Sequence, residues 1–449
     1  MKDKKSFTEG SVAGHLIRFS LPVFFANLLQ SLYGIADMLV VGRIVGKTGL
    51  AAISNGSMIG FVISSLCIGL TMGGTVIIAQ YKGAANQQGQ QQAARTLFTL
   101  SAITALLVIA AGLFSCRSVL SLLRVPEAAM ADAYDYMRIY LLGTICVFGY
   151  NAVCSVLKGL GDSKNPLIFA AVAAALNVGL GVLLVGPLGL GTKGAAWATI
   201  LAQGGSFLAA AMLLKKQSFL FDFRLRSFRI DRLSLKQILR TGLPSAAQMV
   251  IVNFSYLIIT GMINVYGVDA AAAAGIGLKV NTFAAMPCWA IGQAVTAIVG
   301  QNMGAENFWR AKKAGTAGLW LNLAVTAVVV ILVQFFAAPI ISLFDPSSRL
   351  VLENGVLYLR VCCSLNSLVY CVMYTCDSFA IGAGNAMLAM TNSLLDSVIV
   401  RLLFGWILSS ILGYGFVGIC VGQALSPLLP ALIGLIYFAK GKWKNRRLI

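Results

Sequence analysis

The chain has 449 residues, 58% hydrophobic and 11% charged, with a mean hydropathy of +0.84. A soluble domain carries about a quarter charged residues, so a water-soluble enzyme or binding module is excluded. The net charge of +19 is clustered rather than spread as a nucleic-acid footprint: Lys2, Lys4 and Lys5 precede the first apolar run, eight Lys/Arg crowd 215–240, and five more lie in 440–449.

Many apolar runs match the roughly 20 helical residues that cross a hydrocarbon core. Alternating segments of about 10 residues, the mark of a membrane β-barrel, are missing. The sequence predicts an all-α polytopic membrane protein with twelve transmembrane helices. No removable signal peptide is expected, because the first run, 19–42, is too long for a signal core. The basic clusters fit the positive-inside rule. They predict cytoplasmic termini and suit contact with anionic lipid.

The first predicted span, 17–42, holds Pro22, Gln30 and Asp37. A proline inside a helix removes one backbone hydrogen bond and bends it. Asp37 is the only charged residue between Arg18 and Arg43. It lies roughly 9 Å from the outer helix end. It is either a helix-end residue paired with Arg43 or an intramembrane functional acid. Spans 51–78, 96–118 and 133–157 follow, the last with Asn151. Spans 165–186 and 194–214 bring Asn177 and Thr199 to depths of about 13 Å and 8 Å from the outer face. These share the depth of Asp37 and form a candidate ligand cluster around it. Such a carboxylate can carry a proton or, with amide and hydroxyl oxygens, hold Na⁺. The single histidine, His15, precedes the span, so any intramembrane proton carrier is expected to be a carboxylate.

A basic linker, 215–240, leads to spans 243–267, 271–299, 314–340, 354–380, 386–412 and 415–438. Pro244 and Asn253 fall in the seventh and Lys279 in the eighth. Asp377 falls near the cytoplasmic end of the tenth, where an interface position is expected. Asp396 and Arg401 are five apart in the eleventh, off one ideal helical face. Lys279 and Arg401 either snorkel, pair with Asp396, or line a cavity that favours anionic groups. The ten cysteines show no CxxC spacing and are expected to act as small apolar packing residues. HExxH, P-loop, zinc-cluster and nucleophile-elbow patterns are missing, so neither an enzyme nor ATP drive is expected.

The halves repeat. "RFSLP" (18–22) matches "RTGLP" (240–244), "QYKGAAN" (80–86) matches "QNMGAEN" (301–307), "YMRI" (136–139) matches "YLRV" (358–361), and "GLGD" (159–162) matches "GAGN" (382–385). Four ordered matches at nearly constant offset indicate duplication. Six spans per half predict two six-helix lobes in the same orientation, parallel repeats related by a pseudo-twofold axis. The expected organisation is an N-lobe of 1–214, the cytoplasmic linker 215–240 and a C-lobe of 241–449.

In their order and spacing, "LP…Q…D…VGR", "AQYKGAAN", "LKGLGDSKNP", "KGAAWATILAQ", "GLP", "GQNMGAEN" and "IGAGNA" resemble the multidrug and toxic compound extrusion (MATE) transporters. The resemblance covers nearly the whole chain. It implies an inner-membrane antiporter that exports drug-like, often cationic compounds in exchange for H⁺ or Na⁺ by alternating access. It implies no cofactor, and partners limited to the bilayer and small molecules; nucleic acid is not expected and a monomer is. It implies a helix-1 aspartate, helix-5 asparagine and aspartate, and helix-6 threonine as cation site, with a bending helix-1 proline. Asp37, Asn177, Thr199 and Pro22 match. The helix-5 aspartate is replaced by Gly181, which favours protonation of Asp37. Asn253 stands near the place of a C-lobe glutamate used by other members. Gln30, Asn151, Asn253, Lys279 and Arg401 are the cavity candidates. The alternatives are a lipid-linked oligosaccharide flippase of the same superfamily, a major-facilitator transporter, which "YKGAANQQGQQQ" matches poorly, and a non-transporting receptor or scaffold.

Overall fold

The computed structural model describes residues 6–122, 125–215, 221–346, 348–446 and 448–449. Among them regular structure is helical, with no strand. The first half contains α1 (Val12–Ile44), α2 (Lys47–Gly83), α3 (Gln87–Leu122), α4 (Glu127–Gly159), α5 (Lys164–Val185) and α6 (Gly191–Lys215). The second contains α7 (Arg232–Asn264), α8 (Val268–Gly304), α9 (Phe308–Phe344), α10 (Arg349–Cys362), α11 (Leu365–Gly382), α12 (Ala386–Leu394), α13 (Gly415–Leu425) and α14 (Leu428–Lys440). Helices dominate because lipid offers backbone N–H and C=O groups no other partner.

Among the described residues, eleven helices are long and apolar enough to span a membrane, and twelve when α10–α11 counts as one bent span. The predicted tenth span is thus not one straight helix; it bends by 45°. Cys363 and Ser364 leave helical geometry there. Side-chain amides, one remote and one local, satisfy carbonyls at the break: Gln334 Nε2 donates to Cys363 O at 2.9 Å, and Asn366 Nδ2 to Cys362 O at 3.1 Å.

The chain packs as two compact units, Met1–Phe24 with Ala247–Leu448, and Phe25–Ala246. The boundaries fall just after Pro22 and Pro244, inside α1 and α7. In the Phe25–Ala246 unit, α4 packs against α2, α3 and α6, and α5 against α6. Residues 221–228 dock there through aromatic rings: Phe221 stacks on Phe98 at 4.5 Å between centroids and meets Phe228 edge-on at 5.1 Å. The Ser227 hydroxyl and the Arg224 backbone N–H donate to Asp222, holding its carboxyl below the usual carboxylate range. In the other unit, α8 packs against α9, α10 and α11. Residues 7–23 are seated on it. Phe7, Leu16, Phe19 and Val23 are buried with residues of α8 and α9. Arg310 donates to the carbonyls of Phe7, Glu9 and Gly10 at 2.8, 2.6 and 2.8 Å.

The repeated motifs form repeated turns. Ala85 and Glu306 both have positive φ, 53° and 54°. The asparagine that follows each caps the next helix, Asn86 accepting from Gly89 N and Asn307 from Arg310 N. Gly161 and Gly384 turn at φ 88° and 84°, where a side chain is strained. Gly159 and Gly382 mark close helix approach: an added Cβ lies 2.8 Å from Thr75 O and 2.7 Å from Thr296 O, respectively. Gly382→Ala is expected to destabilise the protein by about 1–3 kcal/mol through overpacking. Gly261→Ala, whose Cβ meets nothing within 4 Å, is expected to be neutral or better; thermal melts in detergent compare the two.

The ten cysteines are free, and all but Cys146 are buried, in keeping with an apolar packing role.

Candidate functional site

The Phe25–Ala246 unit brings Asp37, Asn177 and Thr199 together. α1, α5 and α6 supply one residue each. Asn177 Nδ2 donates to Asp37 Oδ2 at 3.3 Å and lies 3.2 Å from Thr199 Oγ1. Thr199 Oγ1 is 3.3 Å from Asp37 Oδ2 and 3.0 Å from the Ala195 carbonyl. Its single proton can serve only one of these acceptors. Asn177 is fully buried, and its Oδ1 has no hydrogen-bond partner among the described residues. Asp37 is half-buried, and Arg43, the partner expected for a helix-end acid, is exposed.

Gly181 lies four residues beyond Asn177 on α5. A Cβ built there comes 3.6 Å from Asp37 Oδ1, an ordinary contact. The residue that departs from the MATE pattern therefore faces the acid directly. Two further groups lie one helical turn away. Tyr33 precedes Asp37 by four residues, Gln203 follows Thr199 by four, and Gln203 Nε2 donates to the Tyr33 hydroxyl at 3.3 Å. The sequence reading missed both. The i±4 spacing that stacks side chains on one helix face was the available signal.

The other candidates are scattered. Gln30 is exposed on α1. Asn151 is half-buried and donates to Val147 O at 2.8 Å on its own helix. Asn253 is half-buried on α7, and Lys279 is exposed on α8. Arg401 is buried and pairs with Asp396 at 2.5 Å. In an α-helix, residues five apart diverge by about 140° around the axis, which is why no shared face was expected. The chain is instead π-helical over Leu395–Phe404 and again over Ile407–Ile411. Bonds from i to i+5 bring such a pair onto one side. Asp377, five residues before the end of α11, is 1% exposed and accepts from Asn392 Nδ2 at 2.6 Å. No group of three or more His, Cys, Asp or Glu arranged to hold a metal occurs among the described residues.

A bundle of membrane-length apolar helices that gathers an acid, an amide and a hydroxyl inside one unit has the make-up of a multi-pass transporter. The MatE family model matches twice, at residues 22–183 and 244–407. The matches start 222 residues apart, at the repeated prolines Pro22 and Pro244. The chain belongs to the MatE family, the multidrug and toxic compound extrusion transporters. It is similar to the probable multidrug resistance protein YpnP of Bacillus subtilis, 28% identical over 446 residues, 98% of each chain. It is also similar to the probable multidrug resistance protein YoeA of Bacillus subtilis, 31% identical over 333 residues, 73% of this chain and 72% of the relative. In fold it is similar to a MOP superfamily transporter from Pyrococcus furiosus, with a TM-score of 0.93, 22% identity and complete coverage of both chains. The family is one of transporters rather than enzymes.

Proposed function

We propose that the protein is a proton-coupled antiporter that exports drug-like, amphipathic and often cationic small molecules by alternating access, with Asp37 as its N-lobe coupling acid. The observation that carries this reading is the Asp37–Asn177–Thr199 cluster in a MatE-family chain, with Gly181 in place of a second carboxylate. Two protonation states are each well served there. With Asp37 ionised, Asn177 and Thr199 both donate to it. With Asp37 protonated, its hydroxyl donates to Thr199 Oγ1, and the threonine proton turns to the Ala195 carbonyl. The exchange needs no movement beyond a hydroxyl rotor. Sodium is the weaker fit, because one carboxylate with two neutral groups supplies little charge for a dehydrated ion.

The alternative of a lipid-linked oligosaccharide flippase drew on two basic groups for phosphate. Arg401 is neutralised by Asp396, which favours the antiporter. The basic clusters support cytoplasmic termini, the family resemblance supports an inner-membrane protein, and a monomer is the state we propose.

The test uses purified protein in proteoliposomes with ethidium as probe. An imposed pH gradient is expected to drive ethidium movement, unchanged when Na⁺ is replaced by choline. Flipping of a lipid-linked oligosaccharide without ethidium movement overturns the reading. Gly181→Asp is expected to introduce Na⁺ dependence, raising apparent Na⁺ affinity at least about tenfold. The added carboxylate has room, as its Cβ meets only Asp37 Oδ1 at 3.6 Å.

A further inference from the structure

The turn ahead of α1 is held by a clasp of three polar side chains. Arg310, near the start of α9, is 9% exposed. Its Nε donates to Phe7 O at 2.8 Å, and its Nη2 donates to Glu9 O at 2.6 Å and Gly10 O at 2.8 Å. From the end of α8, Gln301 Oε1 accepts from Phe7 N at 3.1 Å, and Asn302 Nδ2 donates to Phe7 O at 3.3 Å. Hydrogen bonds from a charged group are the strong ones. Every atom held by these three side chains is backbone, so the clasp fixes where the chain runs. The Phe7 ring meets His15 and Phe19 edge-on, at 5.3 and 5.7 Å between centroids. It thereby ties the clasped turn to the first two turns of α1.

The second observation is the course of α1 beyond the clasp. The helix belongs to the Ala247–Leu448 unit as far as Phe24, and to the Phe25–Ala246 unit from there to Asp37 and its end. It is also the least buried of the eleven membrane-length helices among the described residues. Its most apolar stretch is 6% buried, against 17–67% for the other ten. A helix with so few lateral contacts of its own is placed by its anchors. The second repeat has the same plan in reverse. α7 belongs to the Phe25–Ala246 unit as far as Ala246 and to the other unit beyond. Its beginning is fastened to the first of these. Asp231 N donates to Thr96 Oγ1 at 3.0 Å, and the Tyr81 hydroxyl donates to Gln237 Oε1 at 3.2 Å. A Cβ added to Gly242 would lie 2.8 Å from Leu70 O. Both helices that pass from one unit to the other are thus anchored before they cross. Close backbone packing supports the α7 anchor, whereas the turn ahead of α1 is gripped by polar side chains, which single substitutions can open.

We infer that Arg310, with Gln301 and Asn302, is a positioning residue for transport, acting through α1 rather than on cargo or ion. The clasp keeps residues 6–24 with the Ala247–Leu448 unit. Displacement between the units is then taken up within α1, the helix that carries Asp37. With the clasp open, the beginning of α1 slips on α8 and α9, and the displacement is lost before it reaches the acid. The inference rests on ion-coupled alternating access, but not on which ion is used.

The experiment compares full-length wild type and Arg310→Gln in proteoliposomes matched for ethidium-binding protein. The steady-state ethidium ratio is plotted against an imposed pH or Na⁺ difference, whichever drives the wild type. Matching for binding removes the effect of misfolded molecules, so a merely structural role leaves the slope unchanged. The ratio is expected to fall from about tenfold per tenfold ion gradient to about threefold or less. Hydrogen exchange should rise over residues 7–19 in the variant and stay as in wild type over 165–215. A wild-type slope with residues 7–19 released overturns the inference. If exchange does not rise, Arg310→Gln/Gln301→Leu removes a further holding group, and a wild-type slope there overturns it whatever the exchange shows. Should these variants fail to accumulate, Arg310→Lys keeps the charge but lacks the planar fork of donors. It is expected to lose at least half of the slope, and a wild-type slope again overturns the inference. Failure of the transport reading is distinct: the wild type itself then shows no slope under either gradient, and the inference falls with it.

Discussion

Asp37→Asn is expected to reduce pH-gradient-driven ethidium movement in proteoliposomes to the leak of protein-free vesicles. Asparagine keeps the size of the side chain and can still bond Asn177 and Thr199. What it removes is the choice between two charge states. A ligand shifts a conformational equilibrium only through its differential affinity for the two states, and the variant has no proton to bind. One pH unit is worth about 1.36 kcal/mol per proton, a tenfold cargo ratio for one-for-one exchange. The steady-state ethidium ratio, plotted against the imposed pH difference, is expected to lose its slope in the variant. Ethidium binding at fixed pH should persist, which separates lost coupling from lost folding. A slope equal to that of wild type sinks the assignment.

Arg401→Met is expected to be the most damaging single change to stability. It strips the guanidinium from Asp396 and leaves that carboxylate buried beside Asp377. Removing one partner of a buried ion pair costs about 3–5 kcal/mol, and the stacking on Tyr256 is lost as well. Thermal denaturation in detergent should show a melt several degrees below wild type. Adding Asp396→Leu should recover most of the loss, since an apolar replacement of both partners leaves no orphaned charge. Lys279→Met, at an exposed position, is the control and should stay within about 0.5 kcal/mol. Equal melts for Arg401→Met and Lys279→Met would mean that the pair carries little of the fold.

Much of this molecule was legible in its sequence because lipid simplifies the physics. An apolar run of membrane length has one regular solution. The offsets of "QYKGAAN" and "GLGD" announced a duplication, since these residues build turns with positive φ and capping asparagines. Asp37, Asn177 and Thr199 could be levelled by counting 1.5 Å per residue. Counting fails where winding changes. The π-helical stretch from Leu395 to Phe404 altered the phase of Asp396 and Arg401, and no local residue pattern foretold it. The bend at Cys363–Ser364 was hidden for a related reason. The amide of Gln334, on another helix, makes it tolerable, and a sequence read in order does not show that contact. The burial of Asp377 was not legible, because depth along a helix says nothing of which side faces inward.

The seating of Phe7, Leu16 and Phe19 on α8 and α9 also constrains the order of biosynthesis. The segment from Phe7 to Val23 meets these packing partners only after about three hundred further residues have been made. Until then these rings and the unclaimed carbonyls of Phe7, Glu9 and Gly10 must wait in lipid or at its surface. Arg310, which gathers those carbonyls, arrives with the second half of the chain. A protein split within its linker would therefore express a first half in which the part of α1 before Phe25 lacks its packing partners. Its maturation therefore includes a late docking, in which a segment made early is among the last to settle.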